Sequence, residues 1–404
     1  MASALTVNAQ NALTSGERRA ILALGSLYSF RMLGLFMVLP VLGIYAVDMP
    51  GATPEKLGIA LGAYGLTQAC LQLPLGWLSD RIGRLPIVIV GLCLFIAGSL
   101  VAAAAETING IITGRFLQGA GAIAAALTAL AADSTRESQR TKAMAVIGAS
   151  VGLSFVMAIV LGPVIAAGLG LQGVFLVTAA LGAVGLVIVL TVLPKNAPKT
   201  AAIADGDWAA DHVFGGRLPI LYASVFLLHG LMMATFLIIP ANLVDIFSFA
   251  ASEHWMIYLL TVVLSIPPAL LIMRMGRGGE DPRWALSVAI VSLVGGILIA
   301  LLAPNLITVG AGLCFMFVGI NALEAILPAT VTRVAPGRLR GTALGIFATC
   351  QFLGIFVGGA LAGFILSAGG SEAVAVLASF CALLWLTVLW LRPFTPVIVT
   401  VSNE

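Results

Sequence analysis

Four ionisable side chains, Arg31, Arg115, His229 and Glu324, stand inside long apolar runs of this 404-residue chain. A charge at the centre of a bilayer costs about 2.5 kcal/mol or more, so groups that persist there face a cavity or a partner. Glu324 is the one carboxylate placed deep in such a run. Apolar surroundings favour the neutral form of a carboxyl, and a nearby arginine favours the ionised form. A group held between these influences can load and release protons. Arg115 is the expected electrostatic partner of Glu324 or of a substrate. The alternative is a static ion pair of Glu324 with Arg31 or Arg115. Arg31 lies about three turns into its helix, close enough to the end to snorkel outward. His229 either titrates near neutral pH or stays neutral and hydrogen-bonded.

A second group of polar residues lies singly in apolar runs: Gln68, Gln118, Asn242, Asn321 and Gln351. Each either binds helix to helix or touches a substrate in a cavity. Asn321, three residues before Glu324, shares its helix face. The five cysteines (Cys70, Cys93, Cys314, Cys350, Cys381) are odd in number and irregular in spacing. They are expected to be small buried apolar residues, not disulfides or metal ligands. With only three histidines in addition, no metal site and no cofactor are expected.

The elements that must position these groups follow from composition. The chain is 60% hydrophobic and 9% charged, against about 25% charged in soluble domains. In lipid every backbone polar group must be bonded internally, and uninterrupted apolar runs of about 20 residues are helices, not barrel strands. Polar breaks give twelve spans: 20–47, 57–78, 85–105, 108–132, 143–168, 173–193, 219–245, 255–274, 284–303, 306–331, 342–367 and 373–391. The first is too long for a signal core and is expected to be retained. The widest break, 194–218, divides an N-terminal bundle of six helices (1–193) from a C-terminal one (219–404). Of 20 Lys and Arg, 17 fall on alternate breaks, and the opposite breaks hold only Lys56. Basic short loops stay in the cytoplasm, which places both termini and the central loop there. The halves also repeat: Phe36-Met37-Val38-Leu39-Pro40 returns as Phe236-Leu237-Ile238-Ile239-Pro240, 200 residues on. Six helices followed by six in one orientation form a parallel repeat.

The break between the second and third spans reads Gly76-Trp77-Leu78-Ser79-Asp80-Arg81-Ile82-Gly83-Arg84. Gly76 permits close helix approach. Asp80 suits a helix N-terminus. Arg81 and Arg84 suit acids across the same face, Asp133 at the end of the fourth span among them. The bland alternative is an ordinary basic turn. This stretch resembles the first conserved loop of the major facilitator superfamily, Gly-x-Leu-x-Asp-Arg-x-Gly-Arg-Lys, with Leu85 in place of the final Lys. In that family the loop latches the two halves, its Asp meeting the start of the eleventh helix. Arg115-Phe116-Leu117-Gln118-Gly119-Ala120-Gly121 resembles the second motif, associated with proton coupling. Gly148, Gly152, Gly162 and Pro163 resemble the fifth-helix motif of drug–proton antiporters, with Ala158, Ala166 and Ala167 where glycines are usual. Arg31-Met32-Leu33-Gly34, Tyr64-Gly65-Leu66-Thr67-Gln68 and Gln351-Phe352-Leu353-Gly354 resemble the YajR-type branch of proton-driven drug exporters, a likeness running over 16–390. The resemblance implies that spans one, four, seven and ten, which carry all four embedded ionisable residues, line a central cavity.

These readings converge on an all-α membrane protein of the inner (plasma) membrane, a monomer whose partners are protons, a small-molecule substrate and the lipid bilayer, with no nucleic acid. It is expected to be a secondary transporter working by alternating access, a proton-coupled antiporter exporting small or lipophilic compounds. The alternative is a proton symporter taking up a sugar or organic anion. A nucleotide-binding Gly-x-x-x-x-Gly-Lys loop is missing, so ATP is not the expected driver. Scattered single polar residues argue against a membrane-embedded enzyme, and a 25-residue central break is too short to be a sensor's output domain.

Overall fold

The computed structural model describes residues 13–193, 213–276, 281–336 and 339–391. Lys195, Lys199, Arg277, Arg338 and Arg392 of the charge pattern, and most of the 194–218 connection, lie outside the described residues. Those described fold into helices, with one 3-10 turn at Ala251–Glu253 and no strand among them.

The first span is two helices, α1 (Ser15–Met37) and α2 (Leu39–Tyr45). They part at Val38, just before Pro40, whose ring cannot continue a straight helix. The Thr14 side chain caps α1 by accepting from the Glu17 N–H, and the Glu17 carboxylate accepts from the Thr14 N–H. This reciprocal box satisfies two otherwise unbonded amides. Then follow α3 (Pro54–Ile82), α4 (Arg84–Ala103), α5 (Ile108–Ala120) and α6 (Ala124–Asp133). The fourth span is thus also broken, at 121–123.

The next helix, α7 (Glu137–Val192), has 56 residues. At about 1.5 Å per residue it would be far longer than a bilayer core of about 30 Å. It turns at Gly170 (φ 65°, ψ −173°) into two span-length pieces. After α8 (Leu218–Asp245), α9 (His254–Met275), α10 (Arg283–Leu301) and α11 (Leu306–Val334) comes α12 (Arg340–Leu391), which turns at Gly369 and Gly370. Gly370 (φ 68°, ψ −169°) nearly reproduces the dihedrals of Gly170, 200 positions earlier. Such a left-handed conformation is accessible to glycine at little cost. The sequence repeat therefore extends to the turns that close spans five to six and eleven to twelve. Counted by segment, the helices are consistent with twelve crossings.

The outer surface is apolar: Ile307 is 85% exposed, Leu391 74% and Val376 70%. Such a surface suits lipid, not water. Cys70 and Cys93 are exposed on it and Cys314, Cys350 and Cys381 are half-buried, all with free thiols. The expectation of buried cysteines is corrected: a small apolar thiol is equally at home against acyl chains.

The halves meet along α3 and α12, from Gly58 against Gly359 to Leu73 beside Gly345. Near its Pro54 end α3 lies against α12 so closely that a Cβ on Gly58 would come within 2.2 Å of the Gly359 carbonyl oxygen. Inward from this contact, Phe155 of α7 packs edge-on against Phe36 (5.2 Å between centroids), Phe236 (6.4 Å) and Phe317 (6.2 Å). These are favourable aromatic arrangements, and they join α1 and α7 to α8 and α11.

Candidate functional site

Glu324 lies on α11 against His229 of α8, Oε1 to Nε2 2.9 Å. The pairing expected with Arg115 or Arg31 is replaced by this one. His229 is buried and Nδ1 is 3.0 Å from the Val225 carbonyl oxygen. A carbonyl only accepts, so Nδ1 carries a proton. Nε2 is then the variable atom. It lies 2.7 Å from the Gln351 amide nitrogen on α12 and 2.9 Å from Glu324. A neutral ring accepts from the amide; a protonated ring donates to the carboxylate. One proton therefore decides which of two neighbours His229 engages.

The Glu324 side chain is 44% exposed. Phe315, 53% exposed on the same helix, is nine residues earlier. At about 100° per residue that separation is half a turn, so Glu324 points to the side opposite the Phe315 face. Asn321 donates to Ser265 of α9 at 2.9 Å, which makes it a tie between helices. Asn242 is half-buried in the last turn of α8.

Arg31 is 1% exposed. The expected snorkelling is corrected: its Nη2 turns inward and donates to Gln68 Oε1 (2.7 Å), Tyr64 Oη (2.8 Å) and the Gly121 carbonyl (3.0 Å). Those acceptors outcompete a distant aqueous edge. Gln68 passes the chain on to Gln72 at 2.7 Å. Arg115 is buried as well. It donates from Nε to the Ala60 carbonyl (3.2 Å), from Nη2 to that of Leu61 (3.1 Å), and from Nη1 to Gln118 Oε1 (3.1 Å). This explains why it does not reach Glu324: its fork is occupied by the α3 backbone. Gln118 in turn donates to Ser99 of α4 at 2.9 Å. The motif from 115 to 121 thus ties α5 to α3 and α4. Its Gly121 lies against Gly91, where a Cβ would come within 2.2 Å of the Gly91 oxygen. The helix breaks there, and the freed carbonyl meets Arg31.

In the basic loop, Arg84 pairs with Asp80 and Asp133 (3.5 Å to the latter) and donates to Ser79 (2.8 Å). Arg81 lies 3.8 Å above the Trp77 ring. Asp80 is in the last turn of α3, where the Arg84 guanidinium four residues on is its nearest counter-charge. It does not cap a helix N-terminus, which corrects that expectation. Gly83 adopts φ 104°, and a Cβ on Gly76 would approach Ala125 of α6 to 3.2 Å. The loop's charges are engaged within its own half. Of the fifth-helix glycines, Gly162, next to Pro163, packs against the Met37 oxygen, whereas Gly148 and Gly152 face open space.

Two participants escaped sequence reasoning. Tyr64, four residues before Gln68, stands between the buried arginines, its ring centroid 5.8 Å from the Arg31 guanidinium and 5.6 Å from that of Arg115. Glu17, ahead of the apolar run starting at Ala20, accepts from the Nε, Nη2 and backbone N–H of Arg136, each at 2.9 Å. Arg136 holds its carboxyl well below the usual carboxylate range. Thr14 followed three residues later by Glu17 was the available signal.

A family model described as Major Facilitator Superfamily matches residues 24–277. The chain is 41% identical over 388 residues to the inner membrane transport protein YajR of Escherichia coli (strain K12), covering 93% of this chain and 84% of that one. It is 30% identical over 240 residues to the multidrug resistance protein MdtL of Escherichia coli O139:H28 (strain E24377A / ETEC), covering 58% and 60%. Among solved structures, a bacterial homolog of the human lysosomal transporter Spinster, inward-facing and occupied, matches with a TM-score of 0.79 at 13% identity, over 95% of this chain and 100% of that one. The nucleoside transporter NupG matches at 0.75 and 16%, over 93% and 100%. Both structures bear on the fold alone. The chain is a multi-pass membrane transporter and belongs to the Major Facilitator Superfamily.

Proposed function

We propose that this transporter is a proton-coupled antiporter of the bacterial inner membrane that exports small or lipophilic compounds by alternating access. The observation that carries the reading is the shared Nε2 of His229, which links a carboxylate on α11 to an amide on α12 through one protonation step. A proton on Nε2 holds His229 to the Glu324 carboxylate; when it leaves by way of Glu324, the neutral ring turns to the Gln351 amide. A local change of bonding between three helices is the kind of bistable element that a proton can bias. The inner-membrane and multidrug-resistance descriptions of YajR and MdtL support the location and the class of cargo.

In this reading residues 1–193 and 219–404 are the two moving bundles, joined by a cytoplasmic 194–218 connection, and both termini are cytoplasmic. The protein works as a monomer. Gly76, Asp80, Arg81, Gly83, Arg84 and Asp133 build the cytoplasmic loop that latches the halves when that side closes, while Gly162 and Pro163 let α7 bend over the join of α1 and α2. Arg115 and Gln118 hold the scaffold beside which Glu324 and His229 exchange the proton. Proteoliposomes loaded with a pH-sensitive dye provide the test. Ethidium, a lipophilic cation, and 2-naphthoate, its anionic counterpart, are each applied under an imposed pH gradient. The expected result is proton flux driven by at least one of them in the wild type and none in Glu324→Gln. Unchanged flux in that variant removes the proton-carrier role.

A further inference from the structure

Two arginines are buried together in the first half of the chain, and among the described residues neither is bonded to a carboxylate. Arg31 and Arg115 flank the Tyr64 ring from distances of 5.8 and 5.6 Å, and their bonded partners are neutral: carbonyls, glutamines and the phenol. By sequence position the carboxylates between residues 13 and 193, Glu17, Asp48, Glu55, Asp80, Glu106, Asp133 and Glu137, all lie outside the apolar spans. An arginine cannot shed its proton to escape burial, and an uncompensated buried charge is costly.

The two guanidinium groups are not equivalent. Each Arg115 nitrogen donates to a protein oxygen. Arg31 is 1% exposed, yet among the described residues its Nε and Nη1 have no hydrogen-bond partner. These two nitrogens carry three of its five N–H donors. Nη2 alone carries the contacts to Gln68, Tyr64 and Gly121. The side chain is therefore fixed at one nitrogen and unsatisfied at the other two, the condition of a group shaped to receive an acceptor.

From this we infer that Arg31 is the recognition point for an anionic group of the transported compound, of carboxylate type, which the free N–H donors bind when alternating access opens the site. The inference rests on the transport reading above, and it names a substrate class that a proton pair in the other half does not. Charge-assisted bonds from arginine to carboxylate are among the strongest polar contacts available. A neutral isostere leaves the positive charge uncompensated, so discrimination between acid and amide is large.

The test uses the purified full chain in a neutral detergent, without any gradient, so proton coupling does not enter and its failure leaves this result standing. The probes are benzoate and 2-naphthoate, their neutral amides, and 2-naphthylmethylammonium. The expected result is that the carboxylates raise Tm and bind at least tenfold more tightly than the amides or the cation. Arg31→Lys weakens the carboxylates about tenfold, and Lys56→Gln, a control removal of positive charge, leaves them unchanged. Gln68→Glu guards against misfolding of the arginine variant, because it leaves Arg31 in place and puts a carboxylate where Oε1 now lies 2.7 Å from Nη2. It is expected to raise Tm and abolish carboxylate binding. Amides or the cation binding as well as the acids, no stabilisation by either acid, or Gln68→Glu binding carboxylates as the wild type does would each overturn the proposal.

Discussion

In the first half of the chain the membrane-embedded charges are arginines bonded to carbonyls, amides and a phenol; in the second half the embedded charge is a carboxylate bonded to an imidazole. The backbone differs in parallel. The first and fourth spans are broken, at Val38 and at 121–123, while their counterparts α8 and α11 run unbroken. Yet the two halves share the Phe-x-x-x-Pro repeat and near-identical turns at Gly170 and Gly370. One scaffold has thus been given two chemistries. A guanidinium keeps its charge at any physiological pH, so the first half supplies a fixed positive field. A carboxylate beside an imidazole changes charge with one proton, so the second half supplies the variable part.

Substitutions in each half sharpen this contrast, beginning with the largest effects. Glu324→Gln is expected to reduce coupled proton flux to background while Tm changes little, because the amide still reaches His229; proteoliposome flux and a thermal melt on one preparation check both. Arg115→Met is expected to do the reverse. It removes three bonds from a buried charge and costs about 3 kcal/mol of stability, read as a lowered Tm, with coupling retained in the protein that remains folded. If Arg115→Met abolishes coupling at unchanged stability, the division between halves is wrong. His229→Asn is expected to slow flux about tenfold, a loss of about 1.4 kcal/mol of driving interaction, read in the same proteoliposome assay.

The smallest effect concerns Glu17 and Arg136. The folded carboxyl titrates below its ordinary value of 4.5, so its stabilising contribution is present above that value and is lost as pH falls through and below it. Glu17→Gln is expected to lower Tm slightly at pH 7, with the gap to wild type closing as the pH is taken below about 5. A gap that widens in acid would contradict the sign of that shift.

Much of this arrangement was legible in the residues. The apolar runs and the one-sided basic breaks gave the spans, and scarcity alone singled out Arg31, Arg115, His229 and Glu324. Their pairing was not legible. Arg115 looked available to Glu324, but the sequence does not reveal that α3 carbonyls already occupy its guanidinium. Arg31 looked near enough to an edge to snorkel, but the break at Gly121 that offers it a carbonyl depends on packing against Gly91. Tyr64 reads as an ordinary apolar aromatic until two arginines are found beside it. Partners contributed by distant spans depend on helix rotation, and a mixed apolar surface fixes rotation only loosely.

The most direct measurement is infrared difference spectroscopy of the Glu324 carboxyl, with Glu324→Gln to identify the band. The account predicts that the band frequency shifts when His229 is replaced by Asn, because the carboxyl loses its bonded partner, and is unmoved by Arg115→Met. A band that follows the arginine and ignores the histidine would contradict it.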